Sequence, residues 1–94
     1  MSDLDDPPEG LKQAVWAQAL PLPGNDPADM RRDAFNTPIR YGDFGREDSA
    51  YGWAIDRKVP KAQGGGDGIA NLRPLNYRNL DTLGGMIGGF STRR

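Results

Sequence analysis

The sequence feature that most constrains the fold is a run of three glycines at residues 64–66, which separates two short apolar segments. Consecutive glycines lose much entropy in regular structure, so the run predicts a loop. Before it, residues 51–56 alternate large apolar side chains with small or polar ones, which predicts a half-buried strand with Trp53 and Ile55 on one face. After it, residues 69–72 predict a second short strand.

Pro74 follows the second predicted strand and favours the first turn of a helix, which we expect to end by residues 84–85. The order is therefore strand, loop, strand, helix. The first strand ends in Asp56 and Arg57, and Asp56 points away from the apolar anchors of that strand. The helix can face this polar end, which is therefore the candidate position of a site.

Several residues of this stretch occur in an order and spacing that are known from a nuclease family. They are Asp56, Pro60, Gly64-Gly65-Gly66, Asp67, Asn71-Leu72, Pro74-Leu75 and Asn79. Residues 51–83 resemble the ββα-metal finger of HNH endonucleases of a bacterial or phage branch, and the resemblance covers roughly residues 10–85. It implies a small single α+β domain in which one or two short helices precede the finger.

The resemblance fails at the catalytic positions. In the family a His follows the strand Asp and acts as general base, and here that position is Arg57, which stays protonated at any ordinary pH. Leu80 occupies the position of a second metal ligand and has no donor atom. Of the ligands for the family's single divalent ion, such as Mg²⁺, only Asp56 is retained. The chain contains no His, so we expect neither a cofactor nor strand cleavage.

Other family positions have structural roles. The family Asn that corresponds to Asn71 holds the loop between the strands by hydrogen bonds to backbone, a role that needs no metal. Trp53, Asp56 and Pro74 are the other structural residues of the finger.

The first functional hypothesis is an inactive HNH-like module that binds DNA through a basic face of the finger. An Arg at the base position changes a site that hydrolyses a phosphodiester into one that clasps it. The alternative is that Arg57 pairs with Asp56 or a neighbour. The candidate nucleic-acid-binding residues are Arg57, Lys58, Lys61, Arg73 and Arg78.

A second hypothesis is a protein-binding regulator or inhibitor of a host protein, of phage or mobile-element type. Small size, near-zero net charge and the apolar Leu80 and Leu83 on the last helix favour it. A third and weaker hypothesis is a residual metal-dependent endonuclease in which Asp56 recruits Asn79 or Asp81. The sequence leaves the oligomeric state open.

Composition bounds these hypotheses. Gly and Pro make up 21 of the 94 residues (13 and 8), so the core must be thin and aromatic side chains must carry much of the packing. Residues 35–94 hold nine bases and six acids, a mildly basic balance. Without Cys, disulfides are excluded. Because no long apolar run is present, we expect a cytoplasmic protein with no membrane partner. We also expect no small-molecule substrate. The aromatic residues expected to pack are Trp16, Phe35, Tyr41, Phe44, Tyr51, Trp53 and Tyr77.

The segments outside the finger predict short elements between two tails. Residues 1–9 are acidic and predict a disordered tail. Residues 9–20 predict a helix anchored by Trp16. Residues 26–34 predict a second short helix, on which Arg31 and Arg32 are solvated charges, with contact to DNA as the alternative. The segment Ile39-Arg40-Tyr41 predicts a short strand, and residues 86–94 a flexible Gly- and Arg-containing tail.

Overall fold

Two helices and two small antiparallel sheets make up the described part of the chain, so the predicted α+β class is confirmed. The structure is a computed structural model that describes residues 4–80. The predictions for the end of the last helix and for residues 86–94 lie outside that range. In chain order the elements are α1 (Glu9–Trp16), β1 (Leu20–Pro21), β2 (Met30–Arg32), β3 (Pro38–Arg40), β4 (Trp53–Arg57), β5 (Leu72–Asn76) and α2, of which residues 77–80 are described.

The first sheet has three strands in the order β1-β2-β3. The predicted helix over residues 26–34 is wrong, because only one turn forms there. The carbonyl of Asp26 accepts hydrogen bonds from the amides of Asp29 and Met30, both at 2.9 Å. Met30 is buried and enters β2 opposite Arg40, so pairing on both sides of β2 outweighs the local helical signal.

Helix α1 ends at Trp16, four residues earlier than predicted. Leu20 instead pairs with β2, and Arg31 secures the turn between them. Its Nη1 donates to the carbonyls of Ala17 and Ala19 at 3.3 and 3.2 Å. Arg31 is therefore a cap on the end of α1 and not the solvated helix charge predicted from the sequence.

The second sheet is the hairpin of β4 and β5, with Trp53 opposite Asn76 and Arg57 opposite Leu72. The predicted alternation along the first strand is confirmed. Trp53 and Ile55 are 0% and 7% exposed, while the side chains between and after them are only half-buried. The hairpin thus turns one face to the core and the other partly to solvent.

The start of the second strand was predicted wrongly. Residues Ile69–Asn71 form a 3-10 turn, and the strand begins only after them. Pro74 is buried within β5 opposite Ile55 and does not open a helix. In a two-stranded sheet each strand has a free edge, where the missing N–H of a proline interrupts no ladder. The helical residues begin at 77.

The core is centred on an aromatic cluster of Trp16, Tyr41, Phe44 and Trp53. The Trp53 ring centroid lies 5.3 Å from that of Trp16 and 4.9 Å from that of Phe44, and Trp53 Nε1 donates to the Arg40 carbonyl at 2.8 Å. The prediction that these four aromatic side chains pack in the core is thus confirmed.

Two of the predicted core aromatics lie at the surface. Phe35 is 45% exposed and Tyr51 is 38% exposed. Each instead lies against a guanidinium, Phe35 beneath Arg73 and Tyr51 beneath Arg40. By contrast, Leu4 is 6% exposed and belongs to the core cluster. This burial differs from the disordered tail that the sequence predicts for residues 1–9.

Candidate functional site

Asp56, the metal-ligand candidate of the sequence resemblance, forms an ion pair. Asp56 lies opposite Arg73 in the β4–β5 register, and Arg73 Nε lies 3.0 Å from Asp56 Oδ2. Both side chains are largely buried, so solvent screens the pair only partly. The carboxylate of Asp56 is therefore already engaged by a cation from the neighbouring strand.

Arg57 holds the next position and pairs with the loop. Its Nε and Nη2 both lie 2.8 Å from Asp67 Oδ1. A guanidinium is a donor only and does not lose its proton in water, so Arg57 cannot act as a general base. Two interpretations of Arg57 were open, a phosphate contact or a pair with a neighbouring residue. In the structure Arg57 pairs with Asp67, which fastens the end of β4 to the glycine-containing loop.

The loop between β4 and β5 is fixed by the side chain of Asn71. Its Oδ1 accepts from the Val59 amide at 2.9 Å, and its Nδ2 donates to the carbonyls of Val59 and Gly66 at 3.1 and 2.8 Å. A Cβ on Gly65 would lie 1.7 Å from the Val59 carbonyl oxygen, so this close approach requires glycine. Asn71 and Gly65 therefore stabilise the loop conformation together with the Arg57–Asp67 pair.

Two lysines extend the cationic surface along this loop. Lys58 follows β4 directly, and Lys61 opens the 3-10 turn Lys61–Gln63. Both are exposed, and neither forms an ion pair with residues 4–80. Arg78 lies beyond β5 in α2 and is also exposed. The structure thus brings Arg57, Lys58, Lys61 and Arg73 to one hairpin and places Arg78 on the following helix.

Asn79, the alternative metal ligand considered for Asp56, is engaged elsewhere. Its Nδ2 donates to Asp33 Oδ2 at 2.7 Å and to Thr37 Oγ1 at 2.9 Å. Leu80 is half-buried, and Asp81 lies outside the described residues. Between residues 4 and 80, no three His, Cys, Asp or Glu side chains cluster closely enough to hold a metal ion.

Sequence reasoning missed a buried polar network around Asp33. This side chain is 0% exposed and accepts four hydrogen bonds, one of them from Asn79. The others come from the backbone amides of Phe35, Thr37 and Asn76, at 2.9, 3.0 and 3.0 Å. An Asp side chain that accepts hydrogen bonds from the amides two and four residues later forms a turn. The sequence signal for this turn is Asn36, three residues after Asp33, because Asn tolerates a positive φ, which is 67° here.

Asn76 is the second buried member of this network. Its Nδ2 donates to the carbonyls of Pro38 and Ala50 at 3.0 and 2.9 Å. The network therefore joins the end of the hairpin to the turn after β2, to β3 and to the loop before β4, and it holds α2 through Asn79.

A partly enclosed pocket of about 230 Å³ lies where α1, the first sheet and the hairpin meet. Gln18 forms part of its wall, and Gln18 Nε2 donates to the carbonyls of Ile69 and Leu72 at 2.6 and 2.9 Å. These bonds fix the end of α1 against the hairpin. The pocket is lined by Gln18, Ala19, Leu20, Ala34, Lys58, Arg73 and Pro74.

Tyr41 and Glu9, which both lie outside the β4–β5 hairpin, have shifted pKa values. The Tyr41 hydroxyl donates to the Glu9 carboxylate. Burial, and then this hydrogen bond, raise the pKa of Tyr41 to about 12. The same hydrogen bond is the main cause that lowers the pKa of Glu9. The pair links α1 to the aromatic cluster and includes none of the cationic residues of the hairpin.

Two further findings concern membrane-spanning helices and similarity to known proteins. None of the helices in residues 4–80 has the length and apolar character needed to cross a bilayer. No protein-family model, curated protein or solved structure matches the chain.

Proposed function

We propose that this chain is a catalytically inactive HNH-like module that binds nucleic acid, DNA in the first instance, through the cationic surface of the β4–β5 hairpin. The HNH-like assignment is supported by the order of the elements, because an antiparallel hairpin is followed directly by helical residues. It is also supported by Asn71, whose hydrogen bonds to the loop backbone are of the kind that the family resemblance implies.

The observation that carries the binding function is the presentation of Lys58 and Lys61. Both are exposed ammonium groups on a loop that Asn71 holds in one conformation. An ordered loop loses little backbone entropy when its cations meet phosphates, and each phosphate that they neutralise releases a counterion. Arg57 and Arg73 flank these lysines and add donors that suit phosphate oxygens.

Two ion pairs support the proposed lack of catalysis. Arg57 stands where the family has its base, and its charge is satisfied by Asp67. Asp56 stands where the family has a metal ligand, and its carboxylate is satisfied by Arg73. A divalent ion at Asp56 has to displace a guanidinium at 3.0 Å, and the two positive charges repel each other.

Fluorescence anisotropy with a labelled duplex tests this proposal at about 50 and about 200 mM salt. We expect binding that weakens as salt rises. In Lys58→Ala and Lys61→Ala the salt dependence should be shallower, by roughly one unit of slope for each phosphate that is no longer neutralised. Arg46→Ala is the matched control, because Arg46 is an exposed cation paired with Asp48 beside the other end of β4. Absence of binding at the lower salt concentration, or equal losses in all three variants, contradicts the proposal.

A protein-binding regulator or inhibitor is the second candidate, and exposed apolar side chains favour it. Leu20, Phe35 and Ile69 are large, apolar and each more than one-third exposed. If this candidate is correct, the chain captures a protein from a nuclease-treated bacterial lysate, and Leu20→Ser abolishes the capture whereas Lys61→Ala keeps it. Nucleic-acid binding predicts the opposite pattern for the two variants.

A further inference from the structure

The pocket beside β5 combines positive charge with an apolar wall. Lys58 and Arg73 supply the charge. Ala19, Leu20 and Pro74 supply apolar surface. Pockets that take drug-sized molecules usually exceed about 300 Å³, so a pocket of about 230 Å³ fits a small group with one anionic part and one apolar part.

The donors of Arg73 are only partly used by the protein. Nε donates to Asp56, and the guanidinium lies over the Phe35 ring with 5.4 Å between its carbon and the ring centroid. Its Nη atoms form no hydrogen bond with residues 4–80. The contacts to Asp56 and Phe35 therefore orient the guanidinium and leave its outer donors for a ligand.

Phosphate matches this arrangement better than carboxylate does. A phosphomonoester carries about −1.5 to −2 charge at pH 7 and three strong acceptor oxygens. Lys58 and Arg73 together present two positive charges, of which Asp56 offsets one only in part. Arg suits bidentate contact with phosphate, and Lys acts beside it as a compact charge.

We propose that this pocket receives the phosphate-bearing terminal nucleotide of a nucleic-acid strand, an inference that rests on the proposed nucleic-acid binding. The terminal phosphate contacts Lys58 and Arg73, and the terminal nucleoside packs on Leu20 and the exposed face of Phe35. An internal phosphodiester carries a single charge and has nucleotides on both sides, which a recessed pocket does not admit. The pocket therefore distinguishes a phosphorylated strand end from the interior of a strand.

The test compares oligonucleotides of one sequence that carry a 5′-phosphate, a 3′-phosphate or hydroxyls at both ends, with anisotropy of a label placed internally. We expect about tenfold tighter binding for one of the phosphorylated forms, the gain of one charge-assisted bidentate contact. Competition by a mononucleotide with the matching phosphate is expected to remove the preference, whereas a nucleoside is not.

Variants separate the pocket from the rest of the cationic surface. Lys58→Ala abolishes the preference for the phosphorylated end. Lys61→Ala, which changes an exposed lysine outside the pocket, weakens both forms by the same factor. Ala34→Leu fills the pocket from an exposed position without any change in charge, so it abolishes the preference and leaves binding of the hydroxyl-ended strand unchanged.

The outcomes distinguish the two proposals. Equal affinity for all three oligonucleotides overturns the end-recognition site and leaves the proposed nucleic-acid binding intact. A preference that survives Ala34→Leu also overturns it, because the phosphate is then bound outside the pocket. Failure of every oligonucleotide to bind at low salt overturns both.

Discussion

Arg73 Nε lies 3.0 Å from Asp56 Oδ2, and the two residues face each other directly in the antiparallel register of β4 and β5. The pair forms on the half-buried face of the hairpin, where each charge has lost part of its hydration. Opposite charges at a directly paired position stabilise a hairpin and help to fix its register. The residue that resembles a metal ligand thus contributes to the fold of the hairpin itself.

Breaking this pair should lower stability by a modest amount. We expect Arg73→Met and Asp56→Asn each to reduce the free energy of unfolding by about 1 kcal/mol, since each leaves a partly buried partner unpaired. Urea denaturation followed by circular dichroism measures both. The double variant should lose less than the sum of the single losses, and strict additivity would show that the two side chains do not interact in solution.

The loop should tolerate a methyl group at one glycine and not at its neighbour. A Cβ on Gly65 would lie 1.7 Å from the Val59 carbonyl oxygen and 2.9 Å from Asn71 Nδ2, whereas a Cβ on Gly66 meets nothing within 4 Å. We expect Gly65→Ala to cost about 2 kcal/mol or more of unfolding free energy and Gly66→Ala less than about 0.5 kcal/mol. Similar urea midpoints for the two variants would show that the Asn71-bound loop does not hold this conformation.

Asp33 should be among the most sensitive polar positions. Its side chain is fully buried and accepts four hydrogen bonds, so Asp33→Ala leaves four donors without that acceptor. We expect a loss of about 3 kcal/mol or more in the free energy of unfolding. Asp29→Ala is the control, because Asp29 is exposed and its carboxylate lies 3.8 Å from Arg40 Nε, a long and solvated ion pair. This variant should lose less than about 1 kcal/mol of unfolding free energy. Equal losses would refute the buried network.

Stability should fall at alkaline pH through Tyr41. The pKa of Tyr41 is raised from 10.0 to about 12 by burial and by the hydrogen bond to Glu9. Between these values the unfolded chain releases a proton that the folded chain keeps, so stability decreases as pH rises through this window. We expect Tyr41→Phe to show a shallower alkaline decrease in chemical denaturation. A near-ultraviolet phenolate titration should lose its highest step in this variant, and an unchanged titration would contradict the assignment.

The hairpin was largely predictable because its signals are local. The alternation from Trp53 to Asp56 and the glycine run specify a strand and a loop without reference to the rest of the chain. Pro74 misled the prediction, since proline suits a first helical turn and an edge position of a strand alike. Only the pairing with Ile55 decides between the two, and that pairing is a property of the folded chain.

The first sheet was not predictable by the same means. Its strands have two or three residues each, too few for a hydrophobic period to be read. Asp26 does begin a helical turn, as its sequence indicates, but the burial of Met30 and the capping of α1 by Arg31 depend on distant contacts. The ion pairs of the candidate site were likewise hidden, because Arg57 and Asp67 lie ten residues apart across a loop of unknown path.

The contact between Trp16 and Trp53, whose ring centroids lie 5.3 Å apart, has a practical consequence for spectroscopy. The chain contains two tryptophans, so its tryptophan emission comes from a single pair in the core. Emission will report loss of that core and will be nearly silent to events at the glycine loop. Binding at the loop is therefore better followed with an extrinsic dye. Gly66→Cys is a suitable attachment point, because Gly66 is exposed and a Cβ built on it meets nothing within 4 Å.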